Sequence, residues 1–142
     1  MTVSQISVFT ESKPGHLVSV LQKLEGAGVN VRGYSVSDTG DYGIARFIVD
    51  KPDSATAALE AAGAAFTVTP VLCLKLLDKP GELARVMGVL AACDINISYS
   101  YSMISTYIII NVPDVDQVKG ILEKQPVEII SQSDITAGVA AR

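Results

Sequence analysis

The sequence predicts an α+β protein made of two copies of one β-α-β-β-α-β unit, each an antiparallel sheet covered by helices on one face. Three observations support this. A strand, a Pro-Gly turn and a helix occur twice, the residues shared by the two copies keep one spacing, and each copy continues with the same order of patterns. A chain of 142 residues is long enough for two very small domains or one ordinary domain.

The repeat centres on a Lys-Pro-Gly turn that occurs at residues 13–15 and again at residues 79–81, an offset of 66 (79 − 13). With this offset the identical pairs are Lys13/Lys79, Pro14/Pro80, Gly15/Gly81, Leu17/Leu83, Val20/Val86, Leu24/Leu90 and Asn30/Asn96. Three pairs form the turn, three are apolar at the spacing of one helix face, and the last is an asparagine. Such sorting indicates a duplicated structural unit.

Each copy begins with a strand and a helix. The segments QISVF (5–9) and VLCLKLL (71–77) are rich in branched residues and end at polar turns, which is typical of strands. After each turn, apolar residues recur at i, i+3, i+4 and i+7, which indicates an amphipathic helix. The glycines of residues 26–28 end the first of these helices.

The middle of each copy reads as a strand hairpin. The segments VNVRGYSVS (29–37) and INISYSYSM (95–103) alternate as strands do, and TGDYG (39–43) is a hairpin turn with two glycines. The segments IARFIVD (44–50) and YIIINV (107–112) then return as strands.

A second helix and a last strand complete each copy. Alanines and leucines from Ala55 to Ala62, and Val115, Val118 and Leu122, mark the two helices, with Asp53 and Asp114 at the predicted N-caps. The segments AFTVTP (65–70) and VEIISQSDI (127–135) are the predicted last strands.

These boundaries predict one domain at residues 1–69, a second at residues 70–136 and a frayed tail at residues 137–142. Right-handed crossovers place the first and third strands of each copy side by side in the middle of its sheet. Because no Gly/Ser linker separates the copies, we expect the halves to pack tightly. The sequence leaves open whether their sheets join edge to edge or pack face to face.

Composition excludes several classes of function. Hydrophobic residues make up 49% of the chain and charged residues 18%, which argues against disorder. The net charge of −4 and the lack of a basic cluster argue against a nucleic-acid partner. No apolar run is long enough for a bilayer, and the N-terminal sequence lacks a signal-peptide pattern. Cys73 and Cys93 lie within apolar patterns, so we expect reduced core cysteines and a cytoplasmic protein.

The duplicated turn has the chemistry of a binding site for a small zwitterion. The first backbone N–H groups of each helix lie at the positive end of its dipole, where a carboxylate is stabilised. Ser12 and Asp78 occupy equivalent loop positions and can accept hydrogen bonds from an ammonium group. The asparagine side chains offer a donor and an acceptor. The alternative is a structural connector, because proline and glycine are common between a strand and a helix.

These features together resemble the ACT domains, small ferredoxin-like regulatory modules of which many bind amino acids, and the whole chain resembles the free-standing tandem ACT proteins. The resemblance rests on the strand order, the SKPGHL and DKPGEL turns and the GVNV and DINI asparagines. It implies that ligand binds where the turn of one domain meets the second strand of another. The implied ligand-binding residues are Ser12, Lys13, Pro14, Gly15, His16, Leu17 and Asn30, and Asp78, Lys79, Pro80, Gly81, Glu82, Leu83 and Asn96.

The two predicted sites are not identical. Ser12 stands where many relatives have Asp or Asn, so the two sites are expected to differ in affinity, or one to be vacant. His16, the only histidine, is read as exposed and incidental, with a polar contact to ligand as the alternative. Arg32 is read as a single surface charge, although it lies two residues after Asn30, where a contact to a ligand carboxylate is the alternative.

The sequence therefore predicts a non-catalytic regulatory sensor that binds a free amino acid at domain or subunit interfaces. One histidine and no dense carboxylate cluster leave no catalytic residues, metal ligands or cofactor to predict. A homodimer is expected, and a metabolic enzyme is a further candidate partner. Two alternatives remain: a protein-interaction subunit whose ligand turns are degenerate, and a hydrolase of the related acylphosphatase-like fold.

Overall fold

The computed structural model describes residues 2–103 and 106–138. The elements are β1 (Val3–Glu11), α1 (His16–Gly26), β2 (Val31–Asp38), β3 (Tyr42–Val49), α2 (Pro52–Ala61), β4 (Phe66–Lys75), α3 (Glu82–Ala92), β5 (Tyr99–Ser102), β6 (Tyr107–Asn111), α4 (Val115–Leu122), β7 (Glu128–Ile130) and α5 (Gln132–Ala137). This order confirms the predicted α+β class and its repeated β-α-β-β-α-β unit, with α5 added after the second copy.

One strand serves both units. The sequence predicts two strands around residue 70, but β4 continues through Pro70 without a break. Its residues from Phe66 to Val71 pair antiparallel with β1, and its residues from Leu72 to Lys75 pair with β6 and β7. The first half of β4 is thus the last strand of the first unit, and the second half is the first strand of the second unit. The predicted boundary at residues 69 and 70 falls inside this shared strand.

The strand order follows the prediction for right-handed crossovers. The seven-stranded sheet runs β2-β3-β1-β4-β6-β5, and β7 pairs with β4 beside this path. In the first unit, β1 lies next to β3, with Gln5 opposite Ile48 and Glu11 opposite Tyr42. In the second unit, the latter half of β4 lies next to β6. Each turn between the first strand and first helix therefore follows a central strand of its sheet.

Two of the three apolar cores lie between the helices and the sheet. In the first unit, buried side chains of β1 and β3 such as Ile6 and Phe47 pack against Val20 and Leu24 of α1 and against α2. In the second unit, the equivalent cluster joins β4 and β6 to α3 and α4. The spacing of these residues in the sequence predicted both helix faces.

The third core joins the two units through the sheet faces that the helices leave uncovered. Val3, Ile48 and Val71 of the first unit pack with Cys73, Tyr107, Ile109 and Ile130 of the second, and Ile135 of α5 closes the cluster. Burying an apolar side chain in this way contributes about 1.5–3 kcal/mol. The sheets are thus both continuous through β4 and packed on their inner faces, so the units form one body.

A polar network at the same junction holds the units in register. Gln5 is fully buried and accepts a hydrogen bond from the Tyr101 hydroxyl at 2.7 Å. The Gln5 amide nitrogen donates to the Tyr99 hydroxyl, and the Arg46 guanidinium lies 4.0 Å from the centre of the Tyr99 ring. Burial raises the pKa of Tyr101, so its hydroxyl stays protonated as a donor.

Two local predictions are wrong in detail. Lys51, not Asp53, is the N-cap of α2, because Pro52 occupies the first helical position, where its missing N–H costs nothing. The predicted strand at 127–135 ends at Ile130, because Ser131 and Asp134 form a capping box that starts α5. Asp114 caps α4 as predicted, accepting from the Gln117 N–H at 3.0 Å.

The remaining expectations concern the tail and the membrane. Ala137 lies in α5 and Gly138 ends it, while residues 139–142 of the predicted tail lie outside the described residues. Among the described residues, no helix has the length and apolar character needed to cross a bilayer.

Candidate ligand-binding site

The turn at residues 12–17 (the first turn) and the turn at residues 78–83 (the second turn) have the same backbone. Gly15 has φ 86° and ψ −16°, and Gly81 has φ 85° and ψ −8°. This left-handed conformation favours glycine, because a side chain there strains the backbone. The Lys13 N–H donates to the Glu11 carbonyl at 2.9 Å, and the Lys79 N–H donates to the Leu77 carbonyl at 3.0 Å.

The helices that follow the turns start without a side-chain cap. Gly15 and Gly81 are the N-cap residues, and neither helix has a hydrogen bond from a side chain at its start. The His16 and Glu82 N–H groups donate to the Lys13 and Lys79 carbonyls at 3.4 Å, and the next N–H groups of α1 and α3 retain their capacity to bind an anion. The helices differ in charge, because α1 has no acidic residue in its first turn and α3 has Glu82.

The residue after the glycine folds back onto the preceding strand in both turns. The His16 Nδ1 accepts a hydrogen bond from the Glu11 N–H, and the Glu82 carboxylate accepts one from the Leu77 N–H. His16 is half-buried and braces the first turn, a role that its lone position in the sequence did not suggest. Because positions 16 and 82 are equivalent in the repeat, their alignment is the signal that could have found this role.

Glu82 is a buried carboxylate paired with an arginine. Its side chain is 4% exposed, and Arg85 donates to both of its oxygens, at 2.7 and 3.2 Å. These hydrogen bonds, followed by the charges of Arg85 and Lys79, lower the pKa of Glu82 against the opposing effect of burial. Arg85 also donates to the Pro126 carbonyl at 3.2 Å. The positive end of α3 is therefore already matched by an anion of the chain itself.

The first turn opens onto a cavity of about 310 Å³. The side of the cavity formed by the turn includes Ser12, Lys13, Pro14 and Leu17, and the facing side comes from the end of β2. The full lining is Thr10, Glu11, Ser12, Lys13, Pro14, Leu17, Val36, Ser37, Asp38 and Gly43. This volume suits a small molecule at the lower limit of ordinary ligand sites.

Asp38 gives this cavity the negative charge that the turn itself lacks. The Ser12 hydroxyl donates to Asp38 Oδ2 at 2.6 Å, and the Gly40 N–H donates to Oδ1 at 2.7 Å. The Ser12 bond, and then the Gly40 bond, lower the pKa of Asp38, so it is ionised at neutral pH. A carboxylate thus stands next to Ser12, where the sequence indicated only an uncharged hydroxyl.

The sequence reasoning did not select Asp38, although one signal was available. The predicted contact between the first and third strands, here Glu11 beside Tyr42, brings the β2–β3 hairpin next to the first turn. Any acidic residue at the tip of that hairpin is therefore a candidate. Glu11, which also lines the cavity, pairs with Lys13 at 2.8 Å, but both side chains are mostly exposed, so this ion pair contributes little to stability.

Residues 78–83 of the second turn line neither the cavity at the first turn nor three other cavities in the described part of the chain. Asp78, Lys79, Pro80, Gly81 and Leu83 are exposed, and Leu77 and Leu83 leave 59% and 50% of their surface in solvent. A cavity of about 510 Å³ beside the β4–β7 pair includes Leu77 but none of residues 78–83.

The two asparagines lie away from the turn of their own unit. Asn30 is exposed, precedes β2 and pairs with Asp50 after β3, whereas the first turn follows Glu11 at the opposite end of β3. Asn96 is likewise exposed and precedes β5, at the end of β6 opposite the second turn. The cavity at the first turn includes neither asparagine. A site that combines a turn with an asparagine must therefore take them from different units.

Comparison with known proteins shows the family to which the chain belongs. The family model of the ACT domain pair matches residues 1–137. The chain belongs to the ACT domain pair family. None of the curated proteins matches the sequence.

Solved structures share the arrangement of the ACT domain pair. Protein BT0572 from Bacteroides thetaiotaomicron is 31% identical, with a TM-score of 0.90 over 96% of each chain. The regulatory subunit of aspartate kinase from Thermus thermophilus is 20% identical, with a TM-score of 0.63 over 86% of this chain and 89% of that one. A putative C-terminal regulatory domain of aspartate kinase from Porphyromonas gingivalis W83 is 18% identical, with a TM-score of 0.55 over 86% and 87%. At such identities, the two aspartate kinase structures show a common fold.

Proposed function

We propose that this ACT domain pair binds a free amino acid in the cavity of the first turn and has a regulatory, non-catalytic role. One observation carries the proposal: Leu17, in the first turn of the uncapped helix α1, and the ionised Asp38 carboxylate line the same small cavity. These are the two groups that an amino-acid zwitterion needs. The ligand carboxylate binds the N–H groups at the start of α1, and the ligand ammonium binds Asp38.

The turn residues have distinct roles in this proposal. Gly15 keeps the backbone open to the ligand, and Leu17 contributes both an N–H group and part of the cavity wall. Ser12 orients Asp38 through its hydroxyl, and His16 holds the turn against Glu11. Lys13 and Pro14 shape the entrance to the cavity. The absence of an acidic residue from the first turn of α1 favours binding of an anion there.

We propose that the second turn binds amino acids more weakly or not at all. Asp78, Lys79, Pro80, Gly81 and Leu83 form an exposed loop, and Glu82 already provides the negative charge at the start of α3. A ligand carboxylate would have to approach a buried carboxylate of the chain. Arg85 neutralises Glu82 by donating to both of its oxygens, so its guanidinium is not available to a ligand, and Lys79 is the cation that remains in this turn.

A homodimer is the proposed functional form. Among the described residues, β2 forms an edge of the sheet, and Tyr34 and Val36 on it are 62% and 45% exposed. Val18 and Leu21 of α1 add further exposed apolar surface. Since an edge strand with an apolar surface tends to pair with another chain, and Val36 also lines the cavity, a second copy at this edge would cover the ligand. Asn30 or Asn96 of another unit would then contact it.

The regulatory role follows from a site shared between units. A ligand shifts an equilibrium only when it binds one arrangement more tightly than another, and a site at a subunit junction meets this condition. The structurally similar regulatory subunits of aspartate kinase support an enzyme as the regulated partner. Cys73 is buried as expected, but Cys93 is exposed, so the expectation of a core cysteine is wrong for Cys93. Both cysteines are free, which supports a reducing compartment such as the cytoplasm.

The exposed leucines support a second candidate function, in which the second turn docks on a partner protein. Leu77 and Leu83 flank Pro80 and Gly81 and form an exposed apolar surface. The first turn lacks this surface, because Glu11 occupies the position equivalent to Leu77. In this candidate function the protein is an interaction subunit whose ligand turns are degenerate. It predicts no response to any amino acid, which separates it from the sensor.

The experiment is a thermal melt of the full chain against each of the free amino acids. We expect at least one to raise Tm in a saturable manner, because ligand at a hundred times its Kd adds about 2.7 kcal/mol to stability. Asp38→Asn should remove most of this response. Asp41→Asn, an exposed residue of the same hairpin outside the cavity lining, is the matched control and should keep it. Failure of every amino acid to raise Tm, or an undiminished response in Asp38→Asn, contradicts the proposal.

A further inference from the structure

A second cavity lies at the junction of the two units, away from both turns. It has a volume of about 310 Å³, and its lining is Val31, Arg32, Gly33 and Tyr34 from β2 of the first unit and Ser102 and Met103 from the end of β5 in the second. None of these residues lines the cavity at the first turn. A molecule bound here would contact both units at once.

Arg32 is the charged group of this cavity, and it is not the surface charge that the sequence indicated. The residue is half-buried, and its Nε is removed from solvent with no hydrogen-bond partner among the described residues. Its terminal nitrogen Nη2 lies beside Gly138 at the end of α5. A buried donor on a permanently charged guanidinium is costly unless an acceptor satisfies it.

An irregularity in the backbone of β2 places Arg32 at the cavity. The pairing of β2 with β3 shifts register between Val31 and Gly33, so Arg32 is the extra residue of a β-bulge. Bulges change the direction in which a side chain points and are common next to functional sites. Met103 packs directly over the bulge, because a Cβ at Gly33 would lie 2.8 Å from Met103 Cγ and would force that side chain to shift.

The lining indicates what the cavity accepts. Its described residues contribute a guanidinium and no acidic side chain, so a bound anion can supply the complementary charge. Hydroxyls of Ser102 and Tyr34 offer neutral polar contacts, while Val31 and Met103 provide apolar wall. A guanidinium matches a carboxylate with two parallel hydrogen bonds.

We propose that this cavity is a second binding site, for a small monocarboxylate with an apolar tail. The carboxylate pairs with the Arg32 guanidinium, and the tail packs on Val31 and Met103. Because the ligand needs no ammonium group, this site is chemically distinct from the amino-acid site at the first turn. By contacting β2 and the end of β5 together, the ligand stabilises one relative position of the units.

The test is a titration of the full chain with butyrate, followed by NMR at the Gly33 amide and the Met103 methyl group, at constant ionic strength. Butyramide, which has nearly the same shape without the charge, is the control ligand. We expect saturable shifts with butyrate and none with butyramide. Arg32→Gln should weaken butyrate binding by about tenfold or more. Lys124→Gln, which removes one exposed positive charge elsewhere, should leave it unchanged.

Arg32→Lys provides a second measurement in case the glutamine variant does not fold. It keeps the charge but not the paired hydrogen bonds, so butyrate should bind more weakly than to the unsubstituted chain. Absent or non-saturable shifts, equal responses to butyrate and butyramide, or unchanged binding in both Arg32 variants would overturn the proposal. A lower Tm in Arg32→Gln, together with no response of the unsubstituted chain to butyrate, would also overturn the proposal. Arg32 would then serve only to hold α5.

The result is separable from the amino-acid proposal. Asp38→Asn should abolish the response to amino acids and keep the response to butyrate. Arg32→Gln should do the reverse. Either proposal can therefore be contradicted while the other stands.

Discussion

The first and second turns share one backbone conformation but differ in the chemistry of their side chains. Gly15 and Gly81 agree within a degree in φ, and the lysine of each turn makes the same hydrogen bond. Three side chains differ: Glu11, Ser12 and His16 stand where Leu77, Asp78 and Glu82 do in the second turn. The comparison teaches that glycine and the strand before it set the shape of the turn, while the first helical residue sets its charge.

The exchange of His16 for Glu82 changes the charge at the start of the helix. The His16 Nδ1 accepts a hydrogen bond from the Glu11 N–H, and the side chain adds no negative charge. The dipole of α1 is therefore not offset by an acidic side chain in its first turn. Glu82 makes the equivalent bond and brings a buried carboxylate with it. In our proposal, the duplicated motif therefore gives a ligand site at the first turn and a second turn whose negative charge comes from its own Glu82.

The largest expected effect tests whether the two units are equivalent in their cores. Leu24→Ala and Leu90→Ala remove side chains at the same repeat position that are 1% and 0% exposed. Each should lower the free energy of unfolding by about 2–5 kcal/mol, because a buried cavity forms. Urea denaturation should show a single transition for both variants, since the units share β4 and an apolar junction. Two separate transitions would show that the units unfold independently.

A smaller and equal effect is expected at the two glycines. Gly15→Ala and Gly81→Ala place a side chain in the left-handed region at a cost of about 1–2 kcal/mol each. No atom lies within 4 Å of either new Cβ, so the cost is conformational alone. Urea denaturation of both variants should give matching losses. A loss confined to one variant would break the claim that the backbones are the same.

Glu82 should make the second turn sensitive to acid. Its pKa is lowered in the folded state, first by the hydrogen bonds from Arg85, so its stabilising effect is present above the unfolded pKa and is lost as pH falls through the folded one. Glu82→Gln should lower Tm by about 2–5 °C at pH 7. The difference from the unsubstituted chain should shrink below about pH 4.5.

Thermal melts across this pH range measure the effect. Glu25→Gln, at an exposed position on α1, is the control and should follow the unsubstituted chain at every pH. A Tm difference for Glu82→Gln that stays constant down to pH 3 would mean that the carboxylate charge is not what matters.

The smallest expected effect compares the second helices of the two units. Asp114→Ala removes the N-cap bond to the Gln117 N–H and should cost about 1 kcal/mol. Asp53→Ala should cost at most about 0.5 kcal/mol, because Asp53 only adds charge to the first turn of α2. Chemical denaturation resolves the two values, and equal costs would contradict the assignment of Lys51 as the cap.

The sequence was sufficient to predict the architecture, because the two copies of the repeat show the same pattern of elements. The apolar spacing around Leu24 and Leu90 predicted both helices, and the Lys-Pro-Gly turns predicted their starts. The continuity of β4 was not predictable, because a proline at residue 70 reads as a break, although its place in β4 interrupts neither set of pairings.

The candidate site was predictable only in part. The turn residues follow from the motif, but Asp38 reaches the cavity through strand register, which becomes visible only when β1 and β3 are paired. The contrast between His16 and Glu82 also needs structure, since the hydrogen bonds to Glu11 and Leu77 depend on the fold of the turn. Arg32 depends on a β-bulge that alternation alone does not reveal.

The most direct test of the central claim follows the backbone amides of the two turns by NMR, during titration with the amino acid that raises Tm most. We predict saturable shifts of the Leu17 and Val18 amides that Asp38→Asn abolishes, with the Leu83 and Ala84 amides unchanged. Shifts confined to Leu83 and Ala84, or shifts at neither turn, would contradict it.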